Sequence, residues 1–541
     1  MVTFWKRFSI PIVVTLVALG AFALYAVTMA PSLSLAHGGT DGAELAVAVR
    51  TVGIPHPSGY PTYLLLAQPF RALPWGTLAG RLNLFSACAA AATVGIIALA
   101  AANLFAGQIQ RRDAEVPEGL PRNISSGQSS PESPLRSRGK QPLGEDRGLA
   151  ELSAALTAGC SLALAGSFWS QALRAEVYTL HTLFFALGLL FLLRWRTHRG
   201  ASLPLAGLFL GLGMGNHLSL LFLLAGAVLF LLLSRPRPCL RELLLAGGLF
   251  LAGLAVYLYL PIRAAADPFL NWGDPRNWAN FWAHVSGQAY RGLLFRVPAS
   301  QAAGRFSAAA RALLGDFAPW GALLGLAGAV LQAREDRPAL SLTALPAGLG
   351  LLLALTYGGV NSQVHLLPLT VSWALWAGLA AGTVAAALSR RLGGRIARTA
   401  LLIPLLSLAL LPWRWPQMTL RADPGPLPAQ AQLLAELPPD ALVLTNSDEQ
   451  TFPLWYAQMV ERARPDVAVV DVRLLGWPWY RPQLPSRYPG LAVPATAAGE
   501  GWLQALLEAN AGRPAFTLGP VPLPAGYRLR NEGAAFRVMA P

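Results

Sequence analysis

Long stretches without charge recur along the first 414 residues, and they constrain this chain more than any other feature. Residues 8–30 contain no charged residue, and about 20 apolar residues cross a bilayer as a helix. Only 13% of the residues are charged, against about 25% in a typical soluble domain. Because one aqueous core cannot bury this much apolar surface, the sequence predicts a polytopic α-helical membrane protein.

Basic residues follow alternate apolar segments, and this pattern predicts how the chain is oriented in the membrane. Lys6 and Arg7 precede the first segment, and Arg194, Arg196 and Arg199 follow a later one. Cytoplasmic loops are rich in such residues, so we expect a cytoplasmic N-terminus and about eleven transmembrane helices. The same pattern accounts for the net charge of +15 without a nucleic-acid partner. The expected spans are residues 8–30, 82–104, 149–169, 177–194, two short helices within 203–233, 243–260, 320–331, 340–357, 366–388 and 401–413.

The first apolar segment has an alternative interpretation as a cleavable signal peptide. "SLSLAHG" offers a weak cleavage site near Ala36. A signal peptide has a shorter apolar region than residues 8–30. The length therefore favours a retained helix.

Composition divides the chain into two predicted domains. Residues 1–414 form the transmembrane domain, with an outer loop at about 261–316. Within it, residues 107–147 are rich in Ser, Pro, Gly and mixed charge, which predicts a disordered cytoplasmic loop. In residues 415–541, "DALVLTNSD" and "PDVAVVDVRLL" are typical of strands, and "EQTFPLWYAQMVERA" between them has helical spacing. We therefore expect a small extracytoplasmic α/β domain after the membrane helices.

Two carboxylates stand three residues apart in the first outer loop. Asp41 and Glu44 occur in "TDGAEL", and this spacing is typical of a capping box, in which Asp41 caps a helix and Glu44 reaches back. The functional interpretation is a general base held at the membrane surface. Both interpretations are compatible with the spacing.

The segment "HPSGYPTY" predicts a rigid turn directly after these carboxylates. Pro57 and Pro61 restrict the backbone, while Gly59 permits an unusual conformation. The turn is either purely structural or holds His56 and Tyr60 in a pre-organised site.

Polar residues also interrupt the apolar segments of two later helices. Arg174 and Glu176 lie at the predicted outer interface, and Glu176, near the helix end, could simply be solvated. His181 falls inside a span, where an ionisable group usually faces a cavity. Asn216 and His217 break an apolar run at an outer turn, and the alternative is a loop with a satisfied histidine.

The large outer loop offers cations and a further carboxylate. Arg263 and Arg291 have the forked donors that bind phosphate, although arginines near lipid headgroups are common. Asp274 in "NWGDP" either contributes to the site or only stabilises a turn.

Known cofactor motifs are absent from the sequence. It contains no Walker loop, no dinucleotide fingerprint and no specific metal motif. Cys88, Cys160 and Cys239 lie in or beside apolar stretches, so they predict neither disulfides nor a zinc site. We expect no cofactor, while the requirement for a divalent metal stays open.

Several of these segments together resemble a known family. "DGAEL", "GIPHPSGYPTY", "RLNLFSA", "FWSQALRAEVYTLH", "GNHLS", "YLYLPIRAAADPFLNWGDP" and "TFPLWYAQMVERARPDVAVVD" occur in this order. They resemble the transmembrane protein 260-like family, formerly a domain of unknown function, which is related to the protein O-mannosyltransferases. The resemblance covers roughly residues 31–300 and 430–485.

The resemblance implies a GT-C glycosyltransferase fold and a polyprenyl-phosphate-linked sugar, with mannose suggested by the relatives alone. It implies an acidic catalytic residue in the first outer loop, which matches Asp41 with Glu44 beside it. The remaining candidates would then bind substrate or its phosphate: His56, Tyr60, Arg174, Glu176, His181, Asn216, His217, Arg263 and Asp274.

Two departures from the family pattern accompany the resemblance. Relatives often carry an acidic residue in the outer turn before "LLP", where this chain has Asn361 and His365. Some eukaryotic relatives also extend into helical repeats.

The expected activity is sugar transfer with inversion to a hydroxyl of a protein, lipid or glycan, in a plasma membrane that is expected to be bacterial. Two alternatives are a transporter or flippase of a lipid-linked saccharide and a non-enzymatic envelope scaffold. A flippase of this kind would favour inverted internal repeats, which the sequence lacks.

Overall fold

The chain is mostly helical throughout the residues that the structure describes. A computed structural model describes residues 2–115, 144–392, 398–497 and 501–541. The α-helices of the first 420 residues are α1 (Val2–Thr28), α2 (Gly42–Thr51), α3 (Pro61–Arg71), α4 (Leu78–Glu115), α5 (Gly144–Leu164), α6 (Gly166–Ala172), α7 (Tyr178–Thr197), α8 (Ser202–Met214), α9 (Leu221–Leu233), α10 (Leu240–Leu254), α11 (Tyr259–Ala265), α12 (Trp278–Val285), α13 (Ala299–Glu335), α14 (Arg337–Thr356), α15 (Leu367–Leu392), α16 (Ile403–Leu408) and α17 (Leu411–Met418).

Eleven apolar helical segments lie in the described part of the chain, in agreement with the sequence. Eight are long and apolar enough to cross a membrane, and α5 with α6, bent by 67° at their junction, makes a ninth candidate span. The other two are the short apolar helices Ser202–Met214 and Leu218–Leu233. Each of the two is shorter than a typical span, because the "GNH" break at residues 215–217 divides the apolar run.

Small residues let the membrane helices pack closely. A Cβ atom on Gly159 of α5 would lie 2.6 Å from Val17 of α1, and one on Gly95 of α4 would lie 3.0 Å from Ala18. Close backbone approach at Gly and Ala is the usual basis of helix association in lipid. The first apolar segment therefore packs against α4 and α5, on the outside of the helical bundle.

The predicted disordered loop differs from the structure at both edges. Helix α4 continues to Glu115 and α5 begins at Gly144, so residues 107–115 and 144–147 are helical. Gln, Arg and Glu in these edges are good helix formers, which favours extension of each helix. The middle of the predicted loop, residues 116–143, lies outside the described residues.

The predicted outer loop at residues 261–316 is largely helical. It contains most of α11, all of α12 and the first half of α13. Helix α13 is kinked at Ala318, which precedes Pro319 and has a positive φ of 53°. The proline removes a backbone donor and disfavours helical geometry at the residue before it.

The C-terminal region folds as the predicted α/β unit. Strands β1 (Leu442–Thr445) and β2 (Ala468–Asp471) are parallel and completely buried. The sheet has the order β2-β1-β3-β5-β4, with β1 and β3 parallel and the remaining pairs antiparallel. Its other elements are α18 (Leu427–Glu436), α19 (Asp448–Met459), α20 (Leu484–Arg487), α21 (Trp502–Ala509), β3 (Ala515–Thr517), β4 (Arg528–Glu532) and β5 (Ala535–Met539). The exact boundary between the two domains at residue 414 stays a prediction.

The α/β unit rests on the end of the bundle that carries α2, here called the site end. Helix α19 packs on α2, and the hydroxyl of Tyr456 accepts a hydrogen bond from the backbone of Ala79 at 3.3 Å. Gln483 donates from its amide to the carbonyl of Asn271 at 2.7 Å. The unit therefore holds the segment after α11 against α2.

Candidate active site at the end of the helical bundle

A cavity of about 830 Å³ opens at the site end. Its polar part contains Asp41, His56 and Tyr60. Its apolar part is formed by leucines and a phenylalanine of α9 and α14, among them Leu221 and Leu352, which are 48% and 47% exposed on the outside of the bundle. The cavity thus joins a charged pocket to an apolar surface of the membrane helices.

Glu44 holds the imidazole of His56 from behind. The Glu44 side chain is completely buried and accepts the backbone N–H of His56 at 3.1 Å. Its other carboxylate oxygen lies 2.5 Å from His56 Nδ1. The opposite ring nitrogen, Nε2, lies 2.7 Å from the Tyr60 hydroxyl and 3.8 Å from Asp41 Oδ2. The four residues therefore form one connected polar group.

This arrangement replaces the capping box. Asp41 occupies the N-cap of α2 but makes no side-chain cap hydrogen bond. Glu44 reaches His56 instead of the N-cap backbone. The capping interpretation is therefore wrong, because the downstream turn supplies Glu44 with better partners than the helix end does.

The carboxylates keep His56 positively charged. Burial alone would lower the pKa of His56, but the attraction of Glu44 and then of Asp41 outweighs it and raises this pKa to about 10. The ring is therefore an imidazolium at neutral pH, with 12% of its side chain exposed to the cavity. Such a cation stabilises negative charge that develops nearby.

Asp41 keeps one carboxylate oxygen available. Thr40 donates its hydroxyl to Asp41 Oδ1 at 3.2 Å. Among the described residues, none donates a hydrogen bond to Oδ2, and the side chain is 26% exposed. A carboxylate with a free oxygen facing a cavity has the geometry of a general base.

The predicted turn after the carboxylates is formed with unusual backbone geometry. Gly59 has a φ of 84°, and a Cβ there would lie 2.8 Å from Leu260 and 3.0 Å from His284. Tyr60 itself adopts a φ of 44° before α3 begins at Pro61. The tight contacts around Gly59 fix the turn that presents His56 and Tyr60.

Arg174 and Glu176 lie buried beneath Asp41. Arg174 donates to the carbonyl of Ser170 at 2.9 Å, and its Nε lies 3.6 Å from Glu176. Burial and the neighbouring charge of Asp41 raise the pKa of Glu176 to about 8. Glu176 is buried, so the alternative of a solvated side chain is wrong. Neither residue lines the cavity, and their contact with the substrate or its phosphate stays a prediction. Arg174 packs against Gly39 in the loop that carries Asp41.

The polar residues of "GNH" separate into two positions. Asn216 is fully buried and donates to the carbonyl of Val177 at 2.9 Å, which ties the break to the start of α7. His217 lines the cavity, and its Nδ1 accepts the backbone N–H of Ser219 at 3.3 Å. His181 lies behind it, 3.2 Å from the Ser219 hydroxyl. Burial lowers the pKa of His217, so this residue is neutral.

The structure separates the two outer-loop arginines. Arg263 donates to the carbonyl of Val52 at 2.8 Å and lies outside the cavity lining. Arg291 lines the cavity and donates to the Ser286 hydroxyl at 3.1 Å. Asp274 stabilises its own turn by accepting from Arg276 at 2.7 Å, and it lines a second, adjacent cleft. The geometry thus favours Arg291 over Arg263 for contact with a bound phosphate.

Several cavity residues escaped the sequence analysis. Asp448 begins α19 of the α/β unit, and Trp272 and Tyr290 come from the segment between α11 and α13. Asn361, in the turn where relatives carry an acid, donates to the carbonyl of Gly38 at 3.2 Å. The sequence marks the region of Asp448 only through the strand end "TNSD". Asp448 reaches the cavity because the α/β unit packs on the site end.

Metal ligands are not grouped in the described residues. Within them, no set of three or more His, Cys, Asp or Glu side chains is placed to hold a metal ion. The metal requirement of the site therefore stays an open prediction.

Two family models match the chain. The N-terminal domain of the protein O-mannosyl-transferase TMEM260 matches residues 41–239, and the TMEM260-associated domain 2 matches residues 429–503. The mouse (Mus musculus) protein O-mannosyl-transferase TMEM260 is 24% identical over 519 residues. This alignment covers 90% of the chain, which spans 66% of the length of the mouse protein.

Solved structures show the fold. ArnT from Cupriavidus metallidurans bound to undecaprenyl phosphate has a TM-score of 0.57 at 13% identity, with 97% of each chain covered. Its apo structure has a TM-score of 0.58 at 13% identity, with 98% of each chain covered. The chain thus contains the two domains that define the transmembrane protein 260-like family, at residues 41–239 and 429–503, and has the GT-C fold.

Proposed function

We propose that this protein is a membrane glycosyltransferase that moves a sugar, expected to be mannose, from a polyprenyl-phosphate donor to an acceptor hydroxyl. The supporting observation is the single cavity that joins Asp41 and the His56 cation to exposed leucines of the membrane helices. A polyprenyl-phosphate sugar has this same division into an apolar chain, a charged phosphate and a polar sugar. The mouse relative is named as a protein O-mannosyl-transferase, and one ArnT structure contains undecaprenyl phosphate.

In the proposed mechanism, the polyprenyl chain lies against Leu221 and Leu352 and the sugar enters the polar part of the cavity. Asp41 takes the proton from the acceptor hydroxyl as its oxygen attacks the anomeric carbon. The bond between this carbon and the phosphate oxygen breaks, and the lipid phosphate leaves from the opposite face, so the configuration inverts. The His56 imidazolium and Arg291 stabilise the charge on the departing phosphate.

The positive-inside pattern supports the expectation that this chemistry occurs on the outer face of a plasma membrane, expected to be bacterial, with the N-terminus in the cytoplasm. The site end would then face outward, and the membrane would deliver the donor sideways between α9 and α14.

The orientation in the membrane is tested by labelling Trp477→Cys, at a position 45% exposed on the α/β unit. A thiol reagent that does not cross membranes should label this variant in intact cells, and labelling only after lysis would contradict the orientation.

The test of the activity uses purified protein with radiolabelled polyprenyl-phosphate-mannose and a crude envelope acceptor. We expect transfer by the wild type and a loss of about 100-fold or more in Asp41→Asn, because general-base catalysis typically contributes this much. Asp440→Asn is the matched control, since Asp440 is 68% exposed and lines neither cavity nor cleft. Wild-type transfer by folded Asp41→Asn would exclude Asp41 as the base. Lipid flipping without transfer by the wild type would favour the transporter instead.

A further inference from the structure

A second cleft, of about 920 Å³, lies beside the proposed donor cavity. One wall belongs to residues 267–290, and the other belongs to residues 473–483 of the α/β unit. Pro57, Trp272, Tyr290 and Asp448 line both the cleft and the donor cavity. A molecule in the cleft therefore has direct access to the polar group around Asp41.

The cleft is built entirely outside the membrane helices. None of its described lining residues belongs to a helix that is long and apolar enough to cross a membrane. A lipid acceptor would need an apolar surface continuous with the bilayer, which the donor cavity has and the cleft lacks. The position of the cleft favours a water-soluble acceptor.

Each arginine of the cleft is paired with two carboxylates, so the described lining carries no unpaired cation. Arg276 pairs with Asp267 at 3.1 Å and Asp274 at 2.7 Å. Arg473 pairs with Asp448 and with Asp471, each at 2.6 Å. His284 adds no charge at neutral pH, because burial lowers its pKa to about 3. With both arginines of the lining occupied, the cleft favours a neutral acceptor over a phosphorylated one.

Aromatic and proline side chains form the remaining walls. Trp272 and Trp479 pack with ring centroids 5.2 Å apart, while Trp477 is 45% exposed beside Pro478. The indole N–H of Trp272 is buried without a hydrogen-bond partner in the described part of the chain. Aromatic-lined grooves recognise extended, proline-containing peptides, whose backbone carbonyls remain free to accept such a donor.

We infer that this cleft binds the acceptor as an extended, proline-containing polypeptide segment and presents one of its Ser or Thr hydroxyls to Asp41. The inference rests on the proposed function and assigns its acceptor a binding site and an extended conformation. The hydroxyl proton passes to Asp41, the hydroxyl oxygen bonds to the anomeric carbon, and polyprenyl phosphate is released. The α/β unit is thereby the element that selects the acceptor.

The first experiment measures the KM for each substrate separately, with polyprenyl-phosphate-mannose and a synthetic peptide of Ala-Pro-Thr-Pro repeats. Trp477→Ala removes an exposed aromatic wall, and Ala289→Trp fills the cleft from an exposed position. We expect both to raise the peptide KM about five-fold or more, with the donor KM unchanged. The controls are Trp75→Ala, at the same 45% exposure, and Ala525→Trp, which is exposed and distant from the lining.

A second experiment separates the inference from the proposed function. Fluorescence anisotropy of the labelled peptide measures binding to the full-length protein without any donor. Weaker binding by both cleft variants supports the acceptor cleft even if the wild type transfers no sugar, an outcome that would count against the proposed function alone. Equal peptide binding by wild type and both variants would overturn the inference. Trp477-dependent binding of a neutral oligosaccharide, with no peptide binding, would overturn it as well.

Discussion

Glu44 accepts the backbone N–H of His56 and lies 2.5 Å from its Nδ1, so one buried carboxylate fixes both the position and the charge of this ring. The contact turns His56 Nε2 toward Tyr60 and Asp41. Asp41, the proposed base, and the His56 cation are thereby kept side by side in the lining of the proposed donor cavity. The pair explains why the first loop carries two acids with different tasks.

Glu44→Gln is expected to make activity sensitive to mild alkali. The amide still accepts the His56 N–H, but without the Glu44 charge the pKa of His56 falls from about 10 toward its ordinary value of 6.5. Since only the protonated ring stabilises the leaving phosphate, the variant should lose kcat/KM as pH rises from 6 to about 8, while the wild type retains it.

The measurement is a pH–rate profile of both proteins, with Glu508→Gln on the exposed face of α21 as the control. The stability of the folded protein should also decrease with rising pH. The folded state binds the His56 proton more tightly than the unfolded state does, so this contribution is complete below pH 6.5 and is lost as pH rises through about 10. Superimposable profiles for wild type and Glu44→Gln would show that the His56 charge has no role in transfer.

Gly39→Ala is expected to lower kcat without unfolding the protein. An added Cβ would lie 2.5 Å from Arg174 Cδ and 2.7 Å from the carbonyl oxygen of Ser34. Because moving the backbone at Ser34 is energetically costly, the loop that carries Asp41 must shift instead. A displacement of about 1 Å costs up to about 100-fold in rate.

Steady-state kinetics of Gly39→Ala should therefore show a loss of at least about ten-fold. Gly20→Ala is the matched control, because a Cβ at Gly20 meets nothing within 4 Å. Equal kcat values for Gly39→Ala and wild type would mean that the loop position does not limit catalysis.

Much of this architecture is predictable because its signals are local. Apolar length identified the membrane helices, and β-branched runs around a helical segment identified β1, α19 and β2. Asp41, Glu44, His56 and Tyr60 were also found together, since all four fall within one short loop and turn.

The remaining features depend on contacts between distant segments. Asp448 reaches the cavity through the packing of the α/β unit on the site end, and Tyr290 through the fold of the segment between α11 and α13. No local sequence pattern records either contact. The spacing of Asp41 and Glu44 is compatible with both a capping box and an active-site pair. Only the position of His56 in the fold distinguishes these two interpretations. The sequence offers Arg263 and Arg291 alike as forked donors for a phosphate, whereas the fold turns Arg263 toward the carbonyl of Val52.

Glu176 is expected to make the folded protein less stable as pH rises. Burial and the charge of Asp41 raise its pKa from an ordinary value of 4.5 to about 8. The folded state therefore binds this proton more tightly than the unfolded state does, and stability is full below pH 4.5 and falls as pH rises toward about 8. Glu176→Gln removes this dependence, because the amide has no proton to lose.

Thermal unfolding in detergent at pH 6 and pH 9 tests this expectation. The Tm of Glu176→Gln minus that of wild type should be at least about 2 °C larger at pH 9 than at pH 6. Glu508→Gln, an exposed carboxylate on α21, should show no such change. A constant difference in Tm at both pH values would contradict a protonated Glu176.

Asp336 is expected to stabilise the end of the bundle opposite the site. Its carboxylate is 1% exposed and pairs with Arg111 at 2.5 Å and with Arg196 at 2.6 Å. It also accepts the backbone N–H of Ala339 at 3.2 Å, which caps α14. One acid thus neutralises two cations and joins α4 and α7 to the junction of α13 and α14.

Asp336→Asn retains a cap for α14 but leaves Arg111 and Arg196 without their carboxylate. Breaking a buried pair costs about 3–5 kcal/mol, and solvent reduces this effect here because the Arg111 side chain is 34% exposed. We therefore expect a Tm lower by several degrees, with kcat of the folded protein unchanged, because Asp336 lies outside both cavity linings. Adding Arg196→Gln should recover part of the lost Tm by removing one of the two unneutralised cations. If the double variant is no more stable than Asp336→Asn, the unneutralised charge of Arg196 does not cause the loss of stability.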